Sequence, residues 1–277
     1  METPTPLQFE PLKAIRSLEQ VVQRDFSILL QEIGLSEADT DTTIKKLFDL
    51  LEEDISQAVF EEKFKAFIFA QNVEGKPFTE AFEALQVKRS ERIYSEVADF
   101  IQSDGKVLDF GCGNGLVGQL LHDRKGLKVE GCDVVVYKGK DVNIPVHKFD
   151  GYHLEVPDGT FETGYANSVL HHDIDPNKAI EEISRVVSKR FILIEDTLQG
   201  ETEEEKALHA KKLFIDDYIY NRLLVDGDIP VPAQYRTSAQ WVELFSALGW
   251  KLPQSDELGW SKILPSIFRE RFIFEKE

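Results

Sequence analysis

The sequence predicts an α/β protein: a seven-stranded mixed sheet with helices on both faces, preceded by an all-helical N-terminal region. Over the first hundred residues apolar side chains recur at helical spacing. From Lys106 onward short apolar runs alternate with helical stretches, the signature of βα units and a mostly parallel sheet. The length of 277 residues suits one large domain or two modest ones. The change of pattern sets the expected division, a helical region over 1–100 that serves as substrate lid or dimer interface and an α/β domain over 101–277.

After Pro11, the residues Leu12, Ile15, Leu18, Val22, Phe26, Leu29 and Ile33 form one helical stripe that Gly34 ends. Further helices are expected over 42–51, 56–71 and 79–101, the second of these carrying Phe60, Phe64 and Phe67 as core. Strands are expected at 106–110, 128–132, 146–149, 162–167 and 190–195, with helices near 115–124, 177–187, 202–224 and 238–248. Two late strands, 251–257 and 267–274, close the sheet as a hairpin-like edge.

Composition excludes several classes of function. With 32 basic and 50 acidic side chains the formal charge is −18, and the surplus is even, −9 in residues 1–103 and −9 in 104–277. Nucleic-acid binders concentrate Lys and Arg to displace counterions, so no nucleic-acid or anionic-membrane partner is expected. Cys112 and Cys132 are the two cysteines, too few for a disulfide framework or a Cys-rich zinc site, and they suit a cytoplasmic protein. The start METPTPLQFEPLK lacks the basic and apolar regions of a signal peptide, and no run approaches the length of a membrane span. His147 and His153 stand six residues apart without a carboxylate at useful spacing, so no metal site is expected.

The most informative segment is KVLDFGCGNGLVGQLL, an apolar strand entering a glycine-rich turn that opens a helix. Gly111, Gly113 and Gly115 allow a sharp turn and close approach to a ligand, and the helix N-terminus offers free amides. The spacing alone leaves two ligands open, because Gly113, Gly115 and Gly118 also fit G-x-G-x-x-G, with Asp133 twenty residues after Gly113 as a dinucleotide would require. Asp109 separates them. A carboxylate facing the cavity at the strand's end is unfavourable beside a pyrophosphate and favourable beside a cation.

VLDFGCGNG resembles the first motif of the class I S-adenosylmethionine-dependent methyltransferases, and the chain is similar to that family, of the methyltransferase type 11 kind, over about 93–274. The resemblance implies a Rossmann-like fold and S-adenosylmethionine as cofactor. Asp109, Gly111, Cys112, Gly113, Asn114 and Gly115 then surround the methionine part. Asp133, with Val134 after it, takes the ribose hydroxyls, Asp150 and Gly151 reach the adenine, and Ala166 and Asn167 offer carbonyl oxygen to the ammonium group. The segment VPDGTFETGYANSVLHHDIDP looks like the family's fourth-strand region, with Glu162 where Asp is usual. In one departure, Pro145 and the short spacing from Asp133 to Asp150 imply that the usual second helix is shortened or absent.

Methyl transfer is an in-line displacement for which the protein chiefly supplies alignment, and for many acceptors a base must take a proton. His171 and His172 lie just past the fourth strand at the carboxyl edge, where doubly wound sheets bind ligands. Asp196, after the fifth strand, is read as orienting a histidine or binding a substrate amine. Asp217 and Asn221, four residues apart, share one helical face, and with Tyr218 they are read as substrate-binding. The expected activity is methylation of an O or N of a small, polar or cationic molecule, and the helical region would allow a homodimer. Two rivals remain at this stage, a degenerate methyltransferase fold acting as an adaptor and an NAD(P)-dependent reductase.

Overall fold

The computed structural model describes residues 9–136, 139–225 and 229–276. Residues 1–8, which open the stretch read for a leader, lie outside them. The chain forms two compact units, the first from 1–86, 198–235 and 260–268, the second from 87–197, 236–259 and 269–277.

The first unit is built on α1 (Pro11–Ser17), α2 (Glu19–Ile33), α3 (Glu37–Leu51), α4 (Gln57–Phe69) and the start of α5 (Phe78–Val97). The single helix expected from Leu12 to Ile33 is two, because Leu18 leaves the helical region at φ −130°, ψ 38°. Gly34 ends α2 at φ 110°, a conformation that disfavours any side chain. Ser36 and Ser56 accept the backbone N–H of Asp39 and Val59 and so start α3 and α4. Pattern reading did not anticipate the small hairpin between Asn72–Val73 and Lys76–Pro77. Phe26, Leu29, Leu47, Phe60, Phe64 and Phe78 fill this unit's core together with Leu213 and Leu223 from its later segment.

The second unit holds the seven-stranded sheet. Its strands are β1 (Lys106–Phe110), β2 (Lys128–Asp133), β3 (Val146–Lys148), β4 (Phe161–Asn167), β5 (Val187–Asp196), β6 (Lys251–Trp260) and β7 (Phe268–Glu275), in the order 3-2-1-4-5-7-6. Strands 3, 2, 1, 4 and 5 run parallel and β7 is antiparallel to β5. Helices α6 (Leu116–Lys125), α7 (Pro176–Val186) and α9 (Ser238–Ala247) belong to this unit, and α8 (Glu203–Tyr218) to the first. The described residues between β2 and β3 hold no helix, as the spacing implied.

Strand alternation divides the core in two. From β5, Phe191 and Leu193 join Phe245, Trp250, Ile180 and Ile183 on the α7/α9 face. Ile192 and Ile194 join Ile93, Val97 and Leu121 on the α5/α6 face. The same parity puts Phe272 and Phe274 of β7 on the first face and Ile273 on the second. It also decides where the polar residues at the strand ends point.

Candidate active site

Three loop glycines at alternate positions, Gly111, Gly113 and Gly115, have φ of 70°, 53° and 77°. A Cβ on Gly111 would stand 2.4 Å from Val169, so the turn after β1 admits no side chain there. The loop amides are largely engaged within the fold. Gly111 and Cys112 donate to the Cys132 carbonyl at 2.8 and 3.0 Å, Gly115 to the Cys112 carbonyl at 2.9 Å, and Leu116 to Asn114 Oδ1 at 3.1 Å. Asp133 Oδ2 accepts the Gly113 N–H at 2.8 Å and Oδ1 the Val135 N–H at 3.1 Å. A pyrophosphate needs free amides, and here it would meet a carboxylate seated on the central glycine. This geometry carries no argument for the dinucleotide reading. Each Asp133 oxygen keeps acceptor capacity, since an ionised carboxylate offers about four lone-pair sites.

Asp109 is 4% exposed and shares the α5/α6 face with Tyr165. Burial pushes its carboxyl up to about 7. The Tyr165 hydroxyl and the Gly118 amide favour the charged form, and the charge of Asp133 opposes it. A Cβ on Gly118 would fall 3.2 Å from Asp109 Oδ2 and 2.5 Å from Ile144. The Asp109 carboxyl is therefore enclosed by packing instead of opening on a cavity, and it acts on the site through its field. Asp150 Oδ1 accepts the N–H groups of Tyr152 and His153 at 2.8 and 2.7 Å, which holds its carboxyl below the usual range and builds the turn containing Gly151 at φ 96°. Val134, 44% exposed, lies 3.6 Å from the Cβ position of Gly151, so the two edges of this apolar surface meet. The thiols of Cys112 and Cys132 are buried and unbridged, and burial raises both, which makes them packing groups.

At the end of β4, Ala166 is buried and Asn167 Oδ1 accepts from Arg269 Nη2 at 2.8 Å. The next turn, Leu170–His172, is a short 3₁₀ helix. His171 is 1% exposed and its Nδ1 is 2.5 Å from Glu195 Oε2. Glu195, itself 0% exposed, also accepts the Val169 and Leu170 N–H groups through Oε1 at 3.1 and 2.7 Å. The His172 ring lies 4.2 Å from that of His171, centre to centre. The carboxylate that holds His171 is thus Glu195, a task the sequence offers to Asp196 as one of two roles, the other being a substrate amine. The signal was present in the strand alternation: Glu195 shares the parity of Phe191 and Leu193 and turns to the His171 face, whereas Asp196 shares that of Ile192 and Ile194 and receives the Ser168 hydroxyl at 3.3 Å.

The predicted substrate residues on the later helix belong to the first unit. There Tyr235 donates to Asp217 Oδ2 at 2.5 Å and Tyr218 to Glu61 Oε1 at 2.8 Å. The expected face shared by Asp217 and Asn221 assumed an α-helix, but the backbone widens to a π-helix over Ile219–Leu224. That moves Asn221 off the i, i+4 register.

Among known proteins, a search of curated sequences finds no match. Among solved structures, the geranyl diphosphate C-methyltransferase of Streptomyces coelicolor, in complex with Mg2+, geranyl diphosphate and S-adenosyl-L-homocysteine, is similar at TM-score 0.53 and 11% identity, over 78% of this chain and 98% of that one. A geranyl diphosphate methyltransferase in complex with GPP and sinefungin is similar at TM-score 0.51 and 12% identity, over 68% of this chain and 79% of that one. At these identities the likeness shows the fold. Residues 81–254 match a family model described as a methyltransferase domain. That match spans more than half of the chain, and the protein belongs to the class I methyltransferase family, whose cofactor is S-adenosylmethionine.

Proposed function

We propose that the protein transfers the methyl group of S-adenosylmethionine to an O or N of a small-molecule acceptor, with His171 as the base that takes the acceptor's proton. The observation that carries this reading is the buried His171–Glu195 pair at the carboxyl edge of the sheet, one strand from the glycine loop.

The residues suit the cofactor. The Asp133 carboxylate has acceptor capacity for two ribose hydroxyls, Val134 and Gly151 present an apolar surface suited to a flat base, and the loop amides are already satisfied, as a ligand without phosphate permits. The cofactor supplies a methyl carbon already activated by its sulfonium; the chain's task is alignment and proton removal. Glu195 accepts from Nδ1 and so fixes the His171 tautomer in which Nε2 carries the lone pair. The N–H groups of Val169 and Leu170 hold Glu195 in place, so the pair is set before any acceptor arrives. The net charge of −18 supports a small acceptor over a nucleic acid.

The test is calorimetric titration with S-adenosylhomocysteine, followed by transfer of labelled methyl to a panel of amino and hydroxy compounds. Binding in the micromolar range and turnover lost in His171→Ala would support the reading. Binding without turnover on any acceptor would favour an adaptor role.

A further inference from the structure

Glu195 is held entirely out of water, and two of the three groups that meet it, the Val169 and Leu170 amides, are uncharged. The third is His171, whose Nδ1 is 2.5 Å away. A buried carboxylate draws positive charge to itself, and a histidine at that distance can provide it by taking a second proton. A doubly protonated ring has no lone pair with which to act as a base. Glu270 sharpens the conflict, because this 9% exposed residue of β7 is the register partner of Glu195 and shares its face of the sheet.

A buried cation is set on the same face. The backbone of Arg236 forms a parallel bridge with Thr197, two residues beyond Glu195. Residues two apart on a strand share a face, and bridge partners turn their side chains the same way, so Arg236 lies on the Glu195 side. A second contact agrees. The guanidinium carbon is 5.0 Å from the ring centre of Trp241, which packs with Phe191 and Leu193 on that face. Arg236 is 4% exposed. Burial pushes its guanidinium below the ordinary range, and the charges of Glu195 and, to a smaller extent, Asp175 act against that. The other titratable groups that the second unit sets around the pair include His172, with its ring 4.2 Å from that of His171, and Glu270, which accepts the Ser238 hydroxyl. Asp173 accepts the Tyr152 hydroxyl at 3.0 Å, and Asp175 precedes the first residue of α7.

We propose that Arg236 is a positioning residue for the His171 base: its guanidinium offsets the Glu195 carboxylate, so that His171 carries its single proton on Nδ1 and keeps Nε2 open to the acceptor. This rests on the methyl-transfer reading above. The sign follows from a difference and holds whatever the remaining charges sum to. Taking one positive charge from this face favours the proton-bound ring, and the ring then stays protonated to a higher pH. Arg236 touches neither acceptor nor cofactor in this role and acts through Glu195 alone.

The experiment follows the histidine ring nitrogens of the full, nitrogen-15-labelled chain by NMR across pH, with His171 identified by the loss of its signals in His171→Gln. In wild type the ring is expected to be singly protonated, on Nδ1, at pH 7.5. In Arg236→Gln the pH of half-protonation rises by about one unit or more, and in Arg236→Lys, which keeps the charge, it stays within about half a unit of wild type. Arg236→Met, whose stem still covers Trp241, moves as Arg236→Gln does, and thermal unfolding verifies the fold of each variant. A doubly protonated ring in wild type at pH 7.5 would overturn the proposal without recourse to any variant. So would an unchanged midpoint in the uncharged variants. None of these readings needs an acceptor, so absence of S-adenosylhomocysteine binding to the wild type would overturn the methyl-transfer reading separately. With an acceptor that turns over, the acid limb of kcat/KM moves upward with the ring in Arg236→Gln. A limb that stays in place while the ring midpoint moves would overturn the base assignment on which the proposal rests.

Discussion

Asp109→Asn isolates the electrostatics beneath the glycine loop. In the native protein the carboxyl is enclosed and pushed up to about 7, against 3.8 for an ordinary aspartate, mainly by burial and, to a smaller extent, by the charge of Asp133. A group whose folded pKa is raised binds its proton more tightly in the native state, so its stabilising contribution is fully present below the unfolded value and is lost as pH rises through the folded one. At ~1.4 kcal/mol per tenfold change in proton affinity, the whole span is worth about 4 kcal/mol, of which about 2.5 kcal/mol falls between pH 5 and 8. Asparagine has no proton to lose. Relative to wild type, the variant should therefore gain about 2.5 kcal/mol across that range, at an order-of-magnitude level. Urea unfolding of both proteins at intervals from pH 5 to 8 measures the difference directly, and other titrating groups cancel in the comparison. Stability curves that stay parallel over the range would mean that Asp109 titrates as an ordinary aspartate, and the burial argument would fail. The same coupling carries a binding signature: a cationic cofactor lowers the pKa of a nearby half-protonated carboxyl, so S-adenosylmethionine should release protons near pH 7 in wild type and fewer in the variant, as read by calorimetry in buffers of different ionisation enthalpy.

Asp133→Ala removes the acceptor of the Gly113 N–H and the proposed ribose partner, and should weaken S-adenosylhomocysteine binding by about 1.5 to 3 kcal/mol, with an unchanged dissociation constant placing the cofactor elsewhere. Glu195→Gln keeps an oxygen for the Val169 and Leu170 amides but no longer fixes the His171 tautomer. It should lower kcat about a hundredfold with cofactor affinity intact, and equal losses in kcat and cofactor affinity would argue for a general structural role. Gly111→Ala forces a side chain into φ 70° and to 2.4 Å from Val169, and a destabilisation of about 2 to 4 kcal/mol in chemical unfolding is expected.

The two polar faces at the end of β5 show how much of the site was legible in the sequence. The strand itself follows from an apolar run bounded by charge, and the glycine turn and Asp133 follow from spacing, because both depend on local backbone geometry that a short motif encodes. The choice between Glu195 and Asp196 is not local. It depends on which face of the sheet the residue beyond Ile194 occupies, and that is fixed by α7 and α9 claiming Phe191 and Leu193 while α5 and α6 claim Ile192 and Ile194. Counting alternation outward from those four residues would have sent Glu195 toward His171. The Arg269–Glu96 pair was illegible for a stronger reason. Nothing in KRSERIYSEV indicates that Glu96 receives both Nη atoms of Arg269, a guanidinium 173 positions away along the chain. An ion pair between residues so far apart leaves no trace in any local pattern, because neither partner's neighbours in the sequence report what the fold sets against it.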